Sequence, residues 1–447
     1  MEKTCIIIGG GYTGLSAAFE LARAGVKPLV FEADSQVGGL AGSFDVGDGV
    51  ELEKFYHHWF TSDTHISDLV ADLGETDRIV YRPTNTGMYY ANHFYRLSTP
   101  LDLLKFSPLK FFDRLRMGRV ALAARRIKDW RYLENITAEA WLRSLCGDRV
   151  YNTVWGPMLA GKFGPFVDQI SAVWMWNKLK LRGGSRGKGG AENLAYYRGG
   201  FAALSKRLAD CVVELGGEVH TSTPVQEIVV QDGRAVGIRT ADGVIEADAV
   251  IATPSLPLID RLVGSHLNDE ELKKMRSIEY LANVCLVLRL SRSLSSTYWI
   301  NVADPEFPYV GVIEHTNFEP VEAYHGQHIV YLSKYLPESS DLFQMSDDEV
   351  LEFSIPHLQR MFPEFSRDWI VNFDVWRAKY SQPIVTLHYS QKIPPSETSV
   401  EGLYIETMAQ VYPEDRGTNY AVRNGRRIGR DVAKSLKKNG SPSVSNA

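Results

Sequence analysis

Three glycines, Gly9, Gly11 and Gly14, stand directly after the apolar run Thr4 to Ile8 and before the helix-like stretch Leu15 to Ala22. In a G-x-G-x-x-G spacing the first glycine permits a tight turn and the second lets backbone reach a pyrophosphate without a Cβ in the way. The third lets the helix pack on the strand. The helix start that follows, with Tyr12 and Thr13 in its first turn, offers unpartnered N–H groups and partial positive charge to phosphate. Glu32 lies 18 residues beyond Gly14, at the end of a second apolar run from Val26. A carboxylate there accepts hydrogen bonds from both ribose hydroxyls and repels a 2′-phosphate. The chemistry these residues serve is dinucleotide binding, with NADP disfavoured.

Stepping outward, Ala33 follows Glu32, and then comes a second glycine loop, Gly38-Gly39-Leu40-Ala41-Gly42-Ser43. NAD has no need of backbone crowding it twice, whereas the longer FAD does. The E-x-x-x-x-x-G-G pattern from Glu32 to Gly39 resembles the FAD fingerprint of the flavin-containing amine oxidase, protoporphyrinogen oxidase and phytoene desaturase superfamily. Tyr197-Arg198-Gly199-Gly200-Phe201 is similar to that superfamily's G-G-[FM] element, and Gln382-Pro383 after Tyr380 resembles its A-Q-P turn. Pro224-Val225 falls where relatives place a valine whose backbone contacts adenine. Asp415-Arg416-Gly417-Thr418-Asn419 resembles the closing flavin motif, in which a glycine turn and a helix N-terminus meet the pyrophosphate and the pyrimidine edge of the isoalloxazine. The resemblance covers nearly the whole chain. It implies FAD as cofactor, held by the two glycine loops (Gly9, Gly11, Tyr12, Thr13, Gly14, Glu32, Ala33, Gly38, Gly39, Leu40, Gly42, Ser43), by Val225, and by Arg416, Gly417, Thr418 and Asn419. Two departures count against an amine oxidase in particular. Leu40 stands where many relatives carry arginine, and the strand Ala282 to Leu290 lacks the lysine that amine oxidases hold near flavin N5.

Candidates for the substrate side are fewer. His57 and His58 follow the glycine loops, and neighbouring residues on a strand face opposite ways, so at most one is expected to reach a site. His58 is the candidate for flavin contact and for proton transfer. His58-Trp59-Phe60-Thr61 also partly resembles the H-x-F-H-T element of UDP-galactopyranose mutases. Residues 178–190 hold five basic residues and no acid. Either they form a solvated loop, or Arg182, Arg186 and Lys188 close over an anionic substrate group. Lys162, in an otherwise apolar stretch with three glycines, is a further substrate candidate. No metal-ligand pattern, P-loop or Ser-His-Asp order is present.

These motifs require an α/β fold. A Rossmann-like FAD-binding domain is expected from residues 1–80, 195–265 and 386–440, with an inserted α+β substrate domain from 81–194 and 266–385 and a flexible tail at 441–447. Hairpins are expected at Asp232-Gly233 and Asp242-Gly243. The net charge of −5 and 44% hydrophobic content exclude a disordered chain and argue against nucleic-acid binding. Four scattered cysteines indicate a reducing, cytoplasmic setting. Residues 101–131 carry nine basic residues against three acidic ones, interleaved with Leu, Phe, Met and Val. Such a stretch lies on an anionic membrane surface, or it is an ordinary helix with its apolar side in the core. The expected function is an FAD-dependent oxidoreductase. It would take a hydride from a largely apolar, cyclic or polyene substrate with an anionic group, a reaction in which no side chain is obligatory. A flavin-dependent isomerase of a nucleotide sugar and a non-catalytic flavoprotein are the alternatives. Neither the electron acceptor nor the oligomeric state is legible.

Overall fold

The computed structural model describes residues 2–96, 99–184 and 192–439. Its centre is a parallel five-stranded sheet in the order Glu218–His220, Lys27–Phe31, Thr4–Ile8, Ala249–Ala252, Leu403–Ile405. Cys5, Ile6, Ile7, Val250 and Ile251 are fully buried, as strands covered on both faces require. The sheet collects its strands from three distant parts of the chain, which makes the fold α/β with a Rossmann-like unit assembled from discontinuous segments. Beside it, Glu227–Gln231, Arg234–Thr240 and Gly243–Glu246 form an antiparallel meander. Its first turn, at Asp232 and Gly233 (φ +50° and +78°), has the left-handed geometry that two-residue hairpins favour.

A second sheet of seven strands runs Ile370–Pro383, Tyr280–Leu290, His328–Leu336, Gly311–Glu314, Trp299–Val302, Thr86–Tyr90, His93–Arg96. It carries its own apolar core, including Val284, Leu286, Leu332 and Leu358. A third small sheet joins the two regions. In it Glu192–Tyr197 pairs with Trp59–Phe60 and, antiparallel, with Ile79–Thr84. The expected domain limits at 80/81 and 194/195 both fall inside these strands, with Tyr81 opposite Ala195. The limits follow shifts in composition, and composition does not register that the two segments pair with each other.

Two helices flank the central sheet side by side, Tyr12–Arg23 and Thr418–Asn439. A Cβ on Gly425 would lie 2.2 Å from the Thr13 carbonyl oxygen, and one on Gly429 2.5 Å from that of Ala17. Contacts that advance in the same direction along both chains mean that the helices run parallel. Thr418 therefore lies about six residues, or ~9 Å, beyond the start of Tyr12–Arg23 at 1.5 Å per residue. Both N-termini point the same way, staggered in depth.

Candidate active site

The glycine turn is built by close approach. A Cβ on Gly14 would sit 2.0 Å from the Gly9 carbonyl oxygen, so only glycine lets the helix begin there. Gly38, at φ +123°, folds the second loop back so that its N–H donates to the Gly10 carbonyl (2.9 Å) and a Cβ on Gly39 would meet Gly11 Cα at 3.3 Å. The two loops thus share one backbone-lined edge. Glu32 braces it: Oε2 accepts from the Gly10 N–H (2.7 Å) and Oε1 from the Asp34 N–H (2.9 Å). The Thr223 N–H donates to the Glu32 carbonyl and the Ser222 N–H to that of Asp34, each at 2.8 Å, which carries the segment leading to Val225 alongside.

A cavity of about 380 Å³ opens beyond this edge, at the start of Thr418–Asn439. Its apolar wall includes Trp155, Met158, Leu159, Trp174, Met175 and Leu179. Arg416, Gly417, Thr418 and Asn419 form its floor, with Tyr56, His57, His58, Tyr298 and Trp299 to one side. Trp59 Nε1 donates to Thr418 Oγ1 (3.0 Å), and Asn419 Oδ1 accepts from the Ile66 N–H (3.1 Å), which locks the helix start in place. Phe201 bridges cavity and glycine turn: its carbonyl accepts from Tyr12 Oη (2.8 Å), and its ring packs on His57 and Trp59.

The electrostatics are predominantly cationic. Lys178 Nζ pairs with Asp415 Oδ2 at 2.6 Å, and Gln382 Nε2 donates to Asp415 Oδ1 (3.2 Å). Burial alone would raise the Asp415 carboxyl, but Lys178, Lys162 and Arg416 outweigh it and hold the group well below the usual carboxylate range. Lys162 Nζ lies over the rings of Trp174 (5.1 Å) and Tyr335 (4.9 Å), and Arg416 donates to Tyr335 Oη (2.8 Å). Burial pushes Asp63 up to about 6. Burial also pushes His57 down to about 4, against the pull of its hydrogen bond with the Phe55 carbonyl. The ring is neutral at neutral pH; with Nδ1–H donated to that carbonyl (2.6 Å), Nε2 is its acceptor. His58 Nδ1 shares a hydrogen bond with Tyr298 Oη (2.9 Å).

Four buried polar atoms on cavity-lining residues have no hydrogen-bond partner among the described residues: the donors Trp155 Nε1, Trp174 Nε1 and Arg416 Nε, and the acceptor Gln382 Oε1. Leaving such an atom unpaired costs about 1–3 kcal/mol. A Cβ on Gly417 would meet nothing within 4 Å, so backbone there is open to approach. A long ligand with polar groups along its length, such as FAD, fits this combination of glycine edge, paired helix ends and unpartnered donors.

The expected site residues divide into two groups that the fold brings together. Gly9 to Gly14, Glu32, Ala33 and Gly38 to Ser43 make the glycine edge, with Val225 two residues past the Thr223 contact to Glu32, while His58, Lys162 and Arg416 to Asn419 line the cavity. The expectation that only one of His57 and His58 reaches a site is corrected. Residues 56–58 are irregular backbone between strands, so the alternation of a strand does not apply and both line the cavity. Arg182 belongs to the helix Ala172–Gly184, but its side chain, with Arg186 and Lys188, lies outside the described residues. Lys178, read as part of the same basic run, sits on that helix and pairs with Asp415. The sequence reading missed Trp174 and Tyr298, which carry no local motif, and Gly425 and Gly429, whose four-residue spacing is the visible signal for close helix packing.

A doubled glycine edge feeding a cavity at a second helix start defines a flavin-binding class of oxidoreductase. The chain matches the flavin containing amine oxidoreductase family over residues 12–432 and belongs to it; it is an FAD-dependent oxidoreductase. It is 27% identical over 333 residues to 4,4'-diapolycopene oxygenase of Methylomonas sp, a match covering 62% of this chain and 61% of that one. It is 22% identical over 428 residues to the chloroplastic/chromoplastic 15-cis-phytoene desaturase of Glycine max, covering 90% and 74%. In fold it is similar to a structure from Exiguobacterium sp. 255-15, provisionally named a protoporphyrinogen oxidase, with TM-score 0.77, 17% identity and coverage of 97% and 99%. Among the described residues no helix is long and apolar enough to cross a membrane.

Proposed function

We propose that this chain oxidises an elongated, largely apolar substrate, polyene-like and bearing an anionic group. Bound FAD would supply the hydride acceptor. Gly9 to Gly14 and Gly38 to Ser43 would hold its pyrophosphate with backbone N–H groups, Glu32 and Val225 its adenosine half, and Arg416 to Asn419 its ring end. One observation carries the substrate reading: the same cavity joins that ring-end motif to a wall of Trp, Met and Leu side chains and to Lys162 and Lys178. The apolar wall orients the hydrocarbon and excludes water, while the cations and the indole N–H groups of Trp155 and Trp174 receive the anionic end. His58, held by Tyr298, buttresses the ring end. The desaturase and oxygenase named above support a polyene substrate. A protonated amine would enter beside Lys162, Lys178 and Arg416 against carboxylates of which Asp415 is already paired.

The test is anaerobic bleaching of flavin absorbance on mixing with one compound of each class. Bleaching by a polyene or porphyrinogen carboxylate, with none by amines, is the expected result. Bleaching by amines alone overturns the substrate reading. Turnover of a nucleotide sugar only after chemical reduction of the flavin selects the isomerase, and tight FAD with no bleaching by any class selects a non-catalytic flavoprotein.

A further inference from the structure

The basic stretch 101–131 resolves into the short helix Pro100–Lys105 and the longer helix Phe111–Arg126. Fourteen large hydrophobic side chains are exposed among the described residues, and six of them fall here: Leu101, Leu104, Phe111, Phe112, Leu115 and Leu122. Phe112 is 73% exposed and Phe111 58%. The core-facing side of Phe111–Arg126 is narrow, made by Asp113, Val120 and Ala124. At 100° per residue, Phe111, Leu115 and Leu122 fall within about 40° of one another on the opposite side of the helix. Arg119 and Arg126 flank this stripe on one side, Arg114 and Arg125 on the other.

The helix is fixed in this orientation. Trp176 Nε1 donates to the Ala124 carbonyl (2.9 Å), and Asp113 sits beside Arg116 (3.1 Å) and Arg149 (3.7 Å). Arg114 Nε donates to the Leu109 carbonyl (2.8 Å), which holds the corner between the two helices. Rotation cannot bury the stripe without breaking these contacts. Of the two readings of this stretch, the core-facing helix accounts only for the narrow side.

We infer that this corner docks on the surface of an anionic phospholipid bilayer, with Phe111, Phe112, Leu115 and Leu122 among the acyl chains and the flanking arginines at the phosphates. Charge complementarity selects this occupant: nine basic residues against three acidic ones occur here in a chain of net charge −5. A central stripe of Phe and Leu is mismatched to a nucleic-acid backbone. Two copies packed through the same face would bring their arginines together. Apolar insertion combined with surface charge is the pattern of interfacial helices.

Sedimentation of the full-length holoprotein with vesicles tests this. Binding is expected to vesicles of phosphatidylcholine mixed with phosphatidylglycerol, weak binding to phosphatidylcholine alone, and loss of binding as salt rises. Arg119→Glu and Arg126→Glu should each weaken partitioning about fivefold or more. Phe111→Ser, Phe112→Ser and Leu115→Ser combined should weaken it by about a hundredfold, with FAD content and unfolding midpoint unchanged. If the triple variant loses its flavin, the charge variants and the salt series of the wild type decide. Failure of the wild type to bind anionic vesicles overturns the inference. So does salt-insensitive dimerisation abolished by the triple variant, or DNA binding with no binding to lipid.

Discussion

Replacing Gly425 with alanine sets two effects against each other. Alanine in a helix interior is favoured over glycine by about 1 kcal/mol, so the substitution stabilises wherever there is room. At Gly425 the new Cβ would lie 2.2 Å from the Thr13 carbonyl oxygen and 2.9 Å from Ser16 Cβ. The first obstacle is backbone, so the helix Thr418–Asn439 has to move outward by roughly an ångström, and overpacking of this kind costs about 1–3 kcal/mol or somewhat more. A net loss on the order of 2 kcal/mol is expected. FAD affinity should fall with it, because Thr13 belongs to the glycine turn and Thr418 to the cavity floor. Gly118 provides the contrast: its Cβ would meet only Leu103 Cδ2, at 3.9 Å, so Gly118→Ala should gain stability. Urea unfolding at fixed FAD concentration, followed by circular dichroism and flavin fluorescence, reads both variants. An unchanged or raised midpoint for Gly425→Ala would refute the packing argument and the stagger of helix ends drawn from it.

Three other perturbations bear on the cavity. Lys178→Met strips the buried Asp415 carboxylate of its nearest cation and should destabilise the protein by about 3 kcal/mol, visible in the same unfolding assay. Lys162→Met should raise KM for an anionic substrate about tenfold or more while leaving kcat nearly unchanged, as steady-state kinetics with the carboxylate and its ester would show. His57 is pushed down to about 4 in the folded protein, against about 6.5 for a free imidazole. The unfolded chain therefore binds the proton first, and stability falls as pH drops from about 6.5 toward 4. His57→Gln should flatten that part of a stability–pH curve; an identical slope in both proteins counts against a buried neutral ring.

The cofactor half was legible because its chemistry is local. Gly9, Gly11, Gly14 and Glu32 lie within one βαβ unit, and turn geometry dictates their residue types at fixed spacing. The helix beginning at Thr418 was legible for the same reason. Most of the cavity wall was not, since Met158, Trp174, Met175 and Tyr298 are gathered by topology and have no mutual spacing to read. His57 and His58 show how a period-two rule misleads where the backbone is irregular. Lys178 looked like part of a solvated basic run, yet one turn of helix separates it from Trp174 and turns both toward the same cavity. The stretch 101–131 had the right composition for two opposite orientations, and only tertiary ties such as Trp176 to Ala124 choose between them.

A ribosome translating this message exposes the opening glycine turn long before the helix that covers it. Until Gly425 and Gly429 emerge from the exit tunnel, the flank of Tyr12–Arg23 at Thr13, Ser16 and Ala17 is bare, and the nascent polypeptide must be kept from clumping. A nonsense codon between the second glycine loop and that helix yields a fragment whose Tyr12–Arg23 flank stays uncovered, a substrate for quality-control proteases.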